Sequence, residues 1–157
     1  MDTLEHLKAH LQGKVVILGI GNSLRNDDAL GSLLASRLQG KLPYIVYDAG
    51  SSPENYLGKI IKDKPENIII IDAVDFGAKP GEYRVLEGAE LKTVNLYSTH
   101  NASLSLTINY LQGHIKVDII ILIVQPKSIS FGDKISPEIE KTLAELEGFF
   151  NGAKEKG

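Results

Sequence analysis

The sequence predicts an α/β fold, a three-layer sandwich around a mostly parallel five-stranded sheet with one antiparallel edge strand. Three observations lead there. Continuous apolar runs at 15–20, 68–71 and 117–124 read as strands buried on both faces. The segments between them carry apolar residues at helical spacing. Strand and helix signals alternate along the chain with no repeat and no linker, as in successive βαβ units.

Each element follows from local chemistry. Leu4, Leu7 and Leu11 share one helical face, and Gly13 stops that helix. After the strand at 15–20, Asp27 or Asp28 is expected to cap a helix whose stripe is Leu30, Leu33, Leu34 and Leu38, ended by Gly40. Tyr44 to Tyr47 makes a second strand. Ser52-Pro53 starts a helix with proline in its first turn, and Tyr56, Leu57, Ile60 and Ile61 form its apolar face. Ile68 to Ile71 is the third strand, ending at Asp72, and Lys79-Pro80-Gly81 marks a turn. Tyr83 to Leu86 alternates and is partly polar, which predicts the antiparallel edge strand. Residues 87–99 read as irregular. A helix is expected from about Ala102 to Leu111, then the central strand Val117 to Val124, closed by Gln125-Pro126. The loop to Lys134 is polar and flexible in composition. Ser136-Pro137 caps a last helix with Ile139, Leu143, Leu146 and Phe150 on one face, and the tail after Asn151 is expected to fray.

Composition narrows the function. A chain of 157 residues predicts one domain over 1–157, and a hydrophobic share of 43% suits a globular core. A net charge of -3 argues against a nucleic-acid partner, which would need a basic patch. No stretch approaches the roughly 18 apolar residues of a membrane span, and no secretory signal is visible at the start. There is no cysteine, so disulfides, thiolate ligands and a cysteine nucleophile are excluded. These features predict a cytoplasmic protein without a membrane partner.

The most informative segment is Gly19-Ile20-Gly21-Asn22-Ser23-Leu24-Arg25-Asn26-Asp27-Asp28. It follows a buried strand and opens a helix, where a dinucleotide loop would sit. A phosphate needs bare N–H groups there, yet two carboxylates fill the position and would repel it. Paired acids on such a turn suit a cation. In parallel sheets, ligands gather beyond the carboxyl ends of the strands at the topological switch point. With the first and third strands as neighbours, Asp28 and Asp72 face each other across one crevice. His100, in Ser98-Thr99-His100-Asn101, can reach the same end. Two carboxylates and an imidazole suit a divalent transition ion with open positions.

Plainer readings stand beside this one. One of Asp27 and Asp28 is expected to be only an N-cap. Asp72 can bond loop N–H groups, and His100 can be structural. Asp75 reads as a turn residue. His6, His10 and His114 fall on helices or helix ends without acidic companions at ligand spacing and read as solvated. The first rival function is a nucleotide-binding domain, with Asp48 as the ribose acid, although Leu24 stands where the third glycine of the fingerprint belongs. The second is a non-catalytic metal or chaperone module.

Four segments in order carry a resemblance. They are Gly19-Ile20-Gly21-Asn22-Ser23-Leu24 with Asp27-Asp28 and Gly31; Asp48-Ala49-Gly50-Ser51-Ser52-Pro53-Glu54-Asn55; Ile71-Asp72-Ala73-Val74-Asp75-Phe76-Gly77 with Pro80-Gly81-Glu82; and Ser98-Thr99-His100-Asn101, with Gln125-Pro126 beyond. Together they resemble the maturation endopeptidases of nickel–iron hydrogenases, nearest to the branch that serves formate-hydrogenlyase-type hydrogenases. The resemblance implies a metal-dependent endopeptidase that removes a C-terminal extension from a hydrogenase large-subunit precursor. It implies recognition of Ni2+ carried by that precursor, with Asp28, Asp72 and His100 as metal ligands and catalytic residues. The family often has glycine after the acid pair where this chain has Ala29; an alanine already in the helix is favoured there. A monomer docking transiently on its substrate is expected, through the loop 128–134 and the stretch 87–97.

Overall fold

The structure, a computed structural model, describes residues 2–88, 90 and 101–153. Five strands form one sheet: β1 (Val15–Gly19), β2 (Ile45–Asp48), β3 (Asn67–Ala73), β4 (Tyr83–Glu87) and β5 (Asp118–Val124). Their order is β2-β1-β3-β5-β4, and only β4 runs antiparallel to its neighbour. The mixed sheet with one antiparallel edge is therefore as the sequence predicts. The expected irregular stretch 87–99 falls largely outside the described residues.

Helices cover both faces. On one side lie α1 (Thr3–Ala9), α2 (Leu30–Leu38) and α5 (Pro137–Ala153). Their Leu7, Leu34, Leu38, Leu143, Leu146 and Phe150 pack on Val15, Ile17, Ile69, Ile71, Ile120 and Leu122. On the other side lie α3 (Leu57–Asp63) and α4 (Asn101–His114), whose Ile60, Leu104, Ile108 and Leu111 meet Val16, Leu18, Ile68, Ile70, Ile119 and Ile121. Alternate residues of each central strand thus face opposite helical layers, which is why these strands are apolar without alternation. Full burial of such a side chain contributes about 1.5–3 kcal/mol.

The expected caps need one correction. Asp27 and Asp28 do not cap α2. They lie in a 3-10 helix, Asn26–Ala29, which leads into α2 with no side-chain cap. Ala29 has φ -75 and ψ -8, an ordinary right-handed helical conformation, so its methyl group carries no strain. Pro53 likewise opens a 3-10 helix, Pro53–Tyr56, before α3. Gly113, expected to end a helix, is inside α4, where a side chain would meet nothing.

Candidate functional site

β1 and β3 are adjacent and parallel, with Gly19 beside Ile71. From β1 the chain crosses to β2 on one side, whereas β3 flanks β1 on the other, so the switch point lies beyond these two strand ends. Three glycines bring the 3-10 helix down onto it. A Cβ on Gly19 would collide with the Gly31 carbonyl, and one on Gly31 with the carbonyls of Ile20 and Ile71. A Cβ on Gly21 would come within 2.6 Å of the Asp28 carbonyl oxygen. Only bare backbone permits this approach. Ile20 N–H then donates to the Ile71 carbonyl at 2.9 Å, and Asn22 N–H to the Asp28 carbonyl at 3.1 Å.

Asp28 is consequently held against the end of β3, in the 3-10 helix that packs there. Asp72 lies in β3, opposite Ile123 of β5, one residue beyond the Ile71 carbonyl that Ile20 engages. Both side chains are buried, 3% and 0% exposed. Asp28 and Asp72 therefore share the switch-point end of the sheet, while His100 lies outside the described residues. Two carboxylates with an imidazole form a donor set suited to a borderline divalent ion such as nickel or zinc.

Asp27 and Asp28 are adjacent but differently placed. The Asp27 carboxylate, fully buried, accepts from Lys127 N–H (2.9 Å), Ser128 N–H (3.0 Å), Ser136 N–H (2.8 Å) and the Ser136 hydroxyl (2.8 Å). Asn26 holds a left-handed backbone with φ 45; its side-chain oxygen accepts from Lys134 N–H, and its backbone N–H donates to the Gly132 carbonyl. Asparagine tolerates that conformation better than most residues. The loop after β5, flexible by composition, is thus tied down by partners about a hundred positions away in sequence. No local signal could have shown this.

Gln125 is a second residue whose role has no local signature. Its side-chain oxygen accepts from Phe76 and Ala78 N–H groups at 2.9 and 3.1 Å, while its amide nitrogen donates to Asp75. It fixes the turn that follows Asp72. Asp75 also accepts from Gly77 N–H at 3.1 Å and is the turn residue expected.

The nucleotide reading fails on backbone accounting. A phosphate cradle needs unpaired N–H groups, but Gly21 N–H donates to Gly50, Asn22 to Asp28 and Asp28 to Arg25. Asp48, the candidate ribose acid, is held by the Ser32 hydroxyl at 2.5 Å and Gly50 N–H at 3.1 Å.

The histidines divide. His114 is exposed, stacks on Tyr110 and bonds its carbonyl, as expected for a solvated residue. His6 and His10 differ from expectation: both converge on Glu87 of β4, at 2.9 and 3.4 Å. The acidic companion comes from a strand some eighty positions away, which spacing within one helix cannot reveal. This cluster is remote from Asp72. Glu87 pairs with Ile120 and Asp72 with Ile123, three residues or about 10 Å apart along β5 and on opposite sides of it. Among the described residues, no helix is long and apolar enough to cross a membrane.

Comparison with known proteins is consistent along the chain. The hydrogenase maturation protease family HycI matches residues 29–149, beginning one position after Asp28. The hydrogenase 3 maturation protease of Escherichia coli strain K12 is 34% identical over 143 residues, covering 85% of this chain and 89% of that protein. The crystal structure of a NiFe hydrogenase maturation protease HycI from Thermococcus kodakarensis KOD1 superposes with a TM-score of 0.85 at 31% identity, covering 96% of this chain and 99% of the other. The solution structure of the endopeptidase HycI from Escherichia coli gives 0.76 at 27% identity, covering 89% and 90%.

Proposed function

Because this chain belongs to the hydrogenase maturation protease family, we propose that it removes the C-terminal extension of a nickel-loaded hydrogenase large-subunit precursor, acting in the cytoplasm as a single domain over 1–157. The observation that supports the site assignment is the burial of Asp28 and Asp72 at one end of the sheet, brought there by the Gly19–Gly31 contact.

Nickel is substrate in this reading. It arrives within the precursor, and Asp28, Asp72 and His100 complete its coordination. That anchors the scissile peptide beside the two carboxylates. Such a metal polarises a neighbouring carbonyl. The protein's own contribution is to hold the peptide in place and to accept a proton. Water attacks the peptide carbonyl, one of the two carboxylates takes its proton as general base, and the C–N bond breaks as the proton passes to the leaving amine. The chemistry is then of aspartic type. No covalent enzyme intermediate is required. A precursor lacking nickel loses the anchor and is left uncut.

The mouth offers a surface for the precursor. The turn 22–28 and the loop 126–134 are knitted by the Arg25–Gly132 bridge and by Arg25 Nε donating to the Ile129 carbonyl. From this paired edge Leu24 and Phe131 project, 60% and 85% exposed, apolar side chains on the turn and loop that flank Asp28. We assign the precursor's flexible extension to this edge, with the enzyme a monomer between encounters.

The test is incubation of the purified protein with nickel-loaded and nickel-free precursor, followed by mass spectrometry. Loss of a C-terminal peptide from the loaded form alone is expected. Binding of the loaded precursor without any mass loss would instead favour a docking module.

A further inference from the structure

We propose that His6, His10 and Glu87 form a second site, for a first-row divalent ion of the zinc class, that clips α1 to the edge strand β4. It is independent of the proposed cleavage site. The three side chains each offer one ligand atom, all within 4.8 Å of one another. His6 and His10 stand one helical turn apart, so both imidazoles project on one side of α1 and its C-cap. Glu87 reaches them from the last position of β4.

The spacing suits a metal. Ligand bonds of about 2.0–2.1 Å in a tetrahedron put neighbouring ligand atoms about 3.3 Å apart. The carboxylate oxygen lies 2.9 Å from His6 Nε2 and 3.4 Å from His10 Nε2. Two sides of the triangle already have nearly the length an ion would impose, and the third is no longer than 4.8 Å.

Hydrogen bonding around the cluster supplies a separate reason. Asn67 Nδ2 donates to the Gln12 carbonyl at 2.9 Å, which fixes its amide orientation. Its side-chain oxygen therefore faces His10 Nδ1, at 3.2 Å, and that nitrogen must carry the ring proton. In the neutral ring the lone pair is then on Nε2, aimed at the Glu87 carboxylate. Two electron-rich atoms face each other, and only a cation between them, or a second proton on the ring, makes the arrangement favourable. An outer partner that fixes the tautomer and aims the other nitrogen is what metal-bound imidazoles show. Two imidazoles and one carboxylate disfavour magnesium and calcium, which take oxygen ligands. The side chains are 18–44% exposed, so an ion can enter from solvent and keep water at its remaining position.

Co2+ titrated into the metal-stripped full-length protein gives a direct readout, since a four-coordinate cobalt ion absorbs strongly in the visible. We expect one equivalent to produce that spectrum in the native chain and in the Asp28→Asn/Asp72→Asn double variant. It should vanish in His10→Gln and in Glu87→Gln, each verified as folded by circular dichroism. Zn2+ should displace the cobalt signal and raise the melting temperature of the native chain but not of His10→Gln. A folded native protein without a cobalt spectrum would overturn the site and leave a proton as the bridging charge. So would a spectrum that survives in His10→Gln and is lost in the Asp28/Asp72 double variant, since the ion would then sit at the switch point.

Discussion

Replacing Asp27 and Asp28 one at a time should separate scaffold from chemistry. Asp27→Ala strips the acceptor from four donors, at Lys127, Ser128 and Ser136, in a site fully closed to solvent. Charge-assisted bonds contribute about 1.5–3 kcal/mol each, but four on one group are not additive. A buried donor left without its acceptor costs about 1–3 kcal/mol, so a total loss of about 4 kcal/mol is expected for the group. With a urea slope of about 2 kcal/mol per molar, the unfolding midpoint should fall by about 2 M. Asparagine should not rescue it. Its NH2 would face the N–H groups of Lys127 and Ser128 in one orientation and that of Ser136 in the other. Asp28→Asn should instead leave the midpoint close to that of the native chain and abolish precursor processing. Urea titration followed by circular dichroism, alongside the precursor mass assay, measures both. An Asp27→Ala protein of native stability would refute the reasoning, as would an Asp28→Asn protein that still cuts.

Other expectations follow from the same contacts. Asp72→Asn should also abolish processing without unfolding the sheet, which the mass assay and circular dichroism check together. Gly31→Ala should lower the urea midpoint, since a methyl group collides with the Ile20 and Ile71 carbonyls; overpacking of this kind costs about 1–3 kcal/mol, and relief here needs backbone movement. Phe131→Ser should raise KM for the precursor several-fold with kcat preserved, because the side chain is exposed and outside the acid pair. In alkali, Tyr47 is pushed up to about 12, first by burial and then by its hydrogen bond to Asp63. The unfolded tyrosine ionises near 10, so its contribution is complete below pH 10 and is lost as pH rises toward 12. Tyr47→Phe should flatten that decline in stability when denaturation is followed against pH.

The sheet was legible because its signals are local. Runs such as Ile68–Ile71 and Ile119–Val124 have no reason to be apolar on both faces unless helices cover both. The polar alternation of Tyr83–Glu87 marked the edge for the same reason. The acid pair stood out as a candidate through its place after a buried strand, but the different surroundings of its two members did not. Nothing near Asp27 indicates that its partners lie beyond β5, and two adjacent aspartates look alike until those donors are seen. The Glu87 contact with His6 and His10 was hidden likewise, being set by the packing of α1 on an edge strand. Gln125 stood out only as part of a motif; its function, holding the turn after Asp72, depends on register between β3 and β5.

The floor of the switch-point crevice is main chain laid on main chain, where Gly19, Gly21 and Gly31 admit no side-chain atoms. Shape there is dictated by peptide geometry, and in the proposed site selectivity falls to whatever stands at positions 28 and 72. If the proposed assignment holds, donor exchange at those two positions, such as histidine for aspartate, should retune which ion is preferred, because the backbone platform beneath does not depend on them.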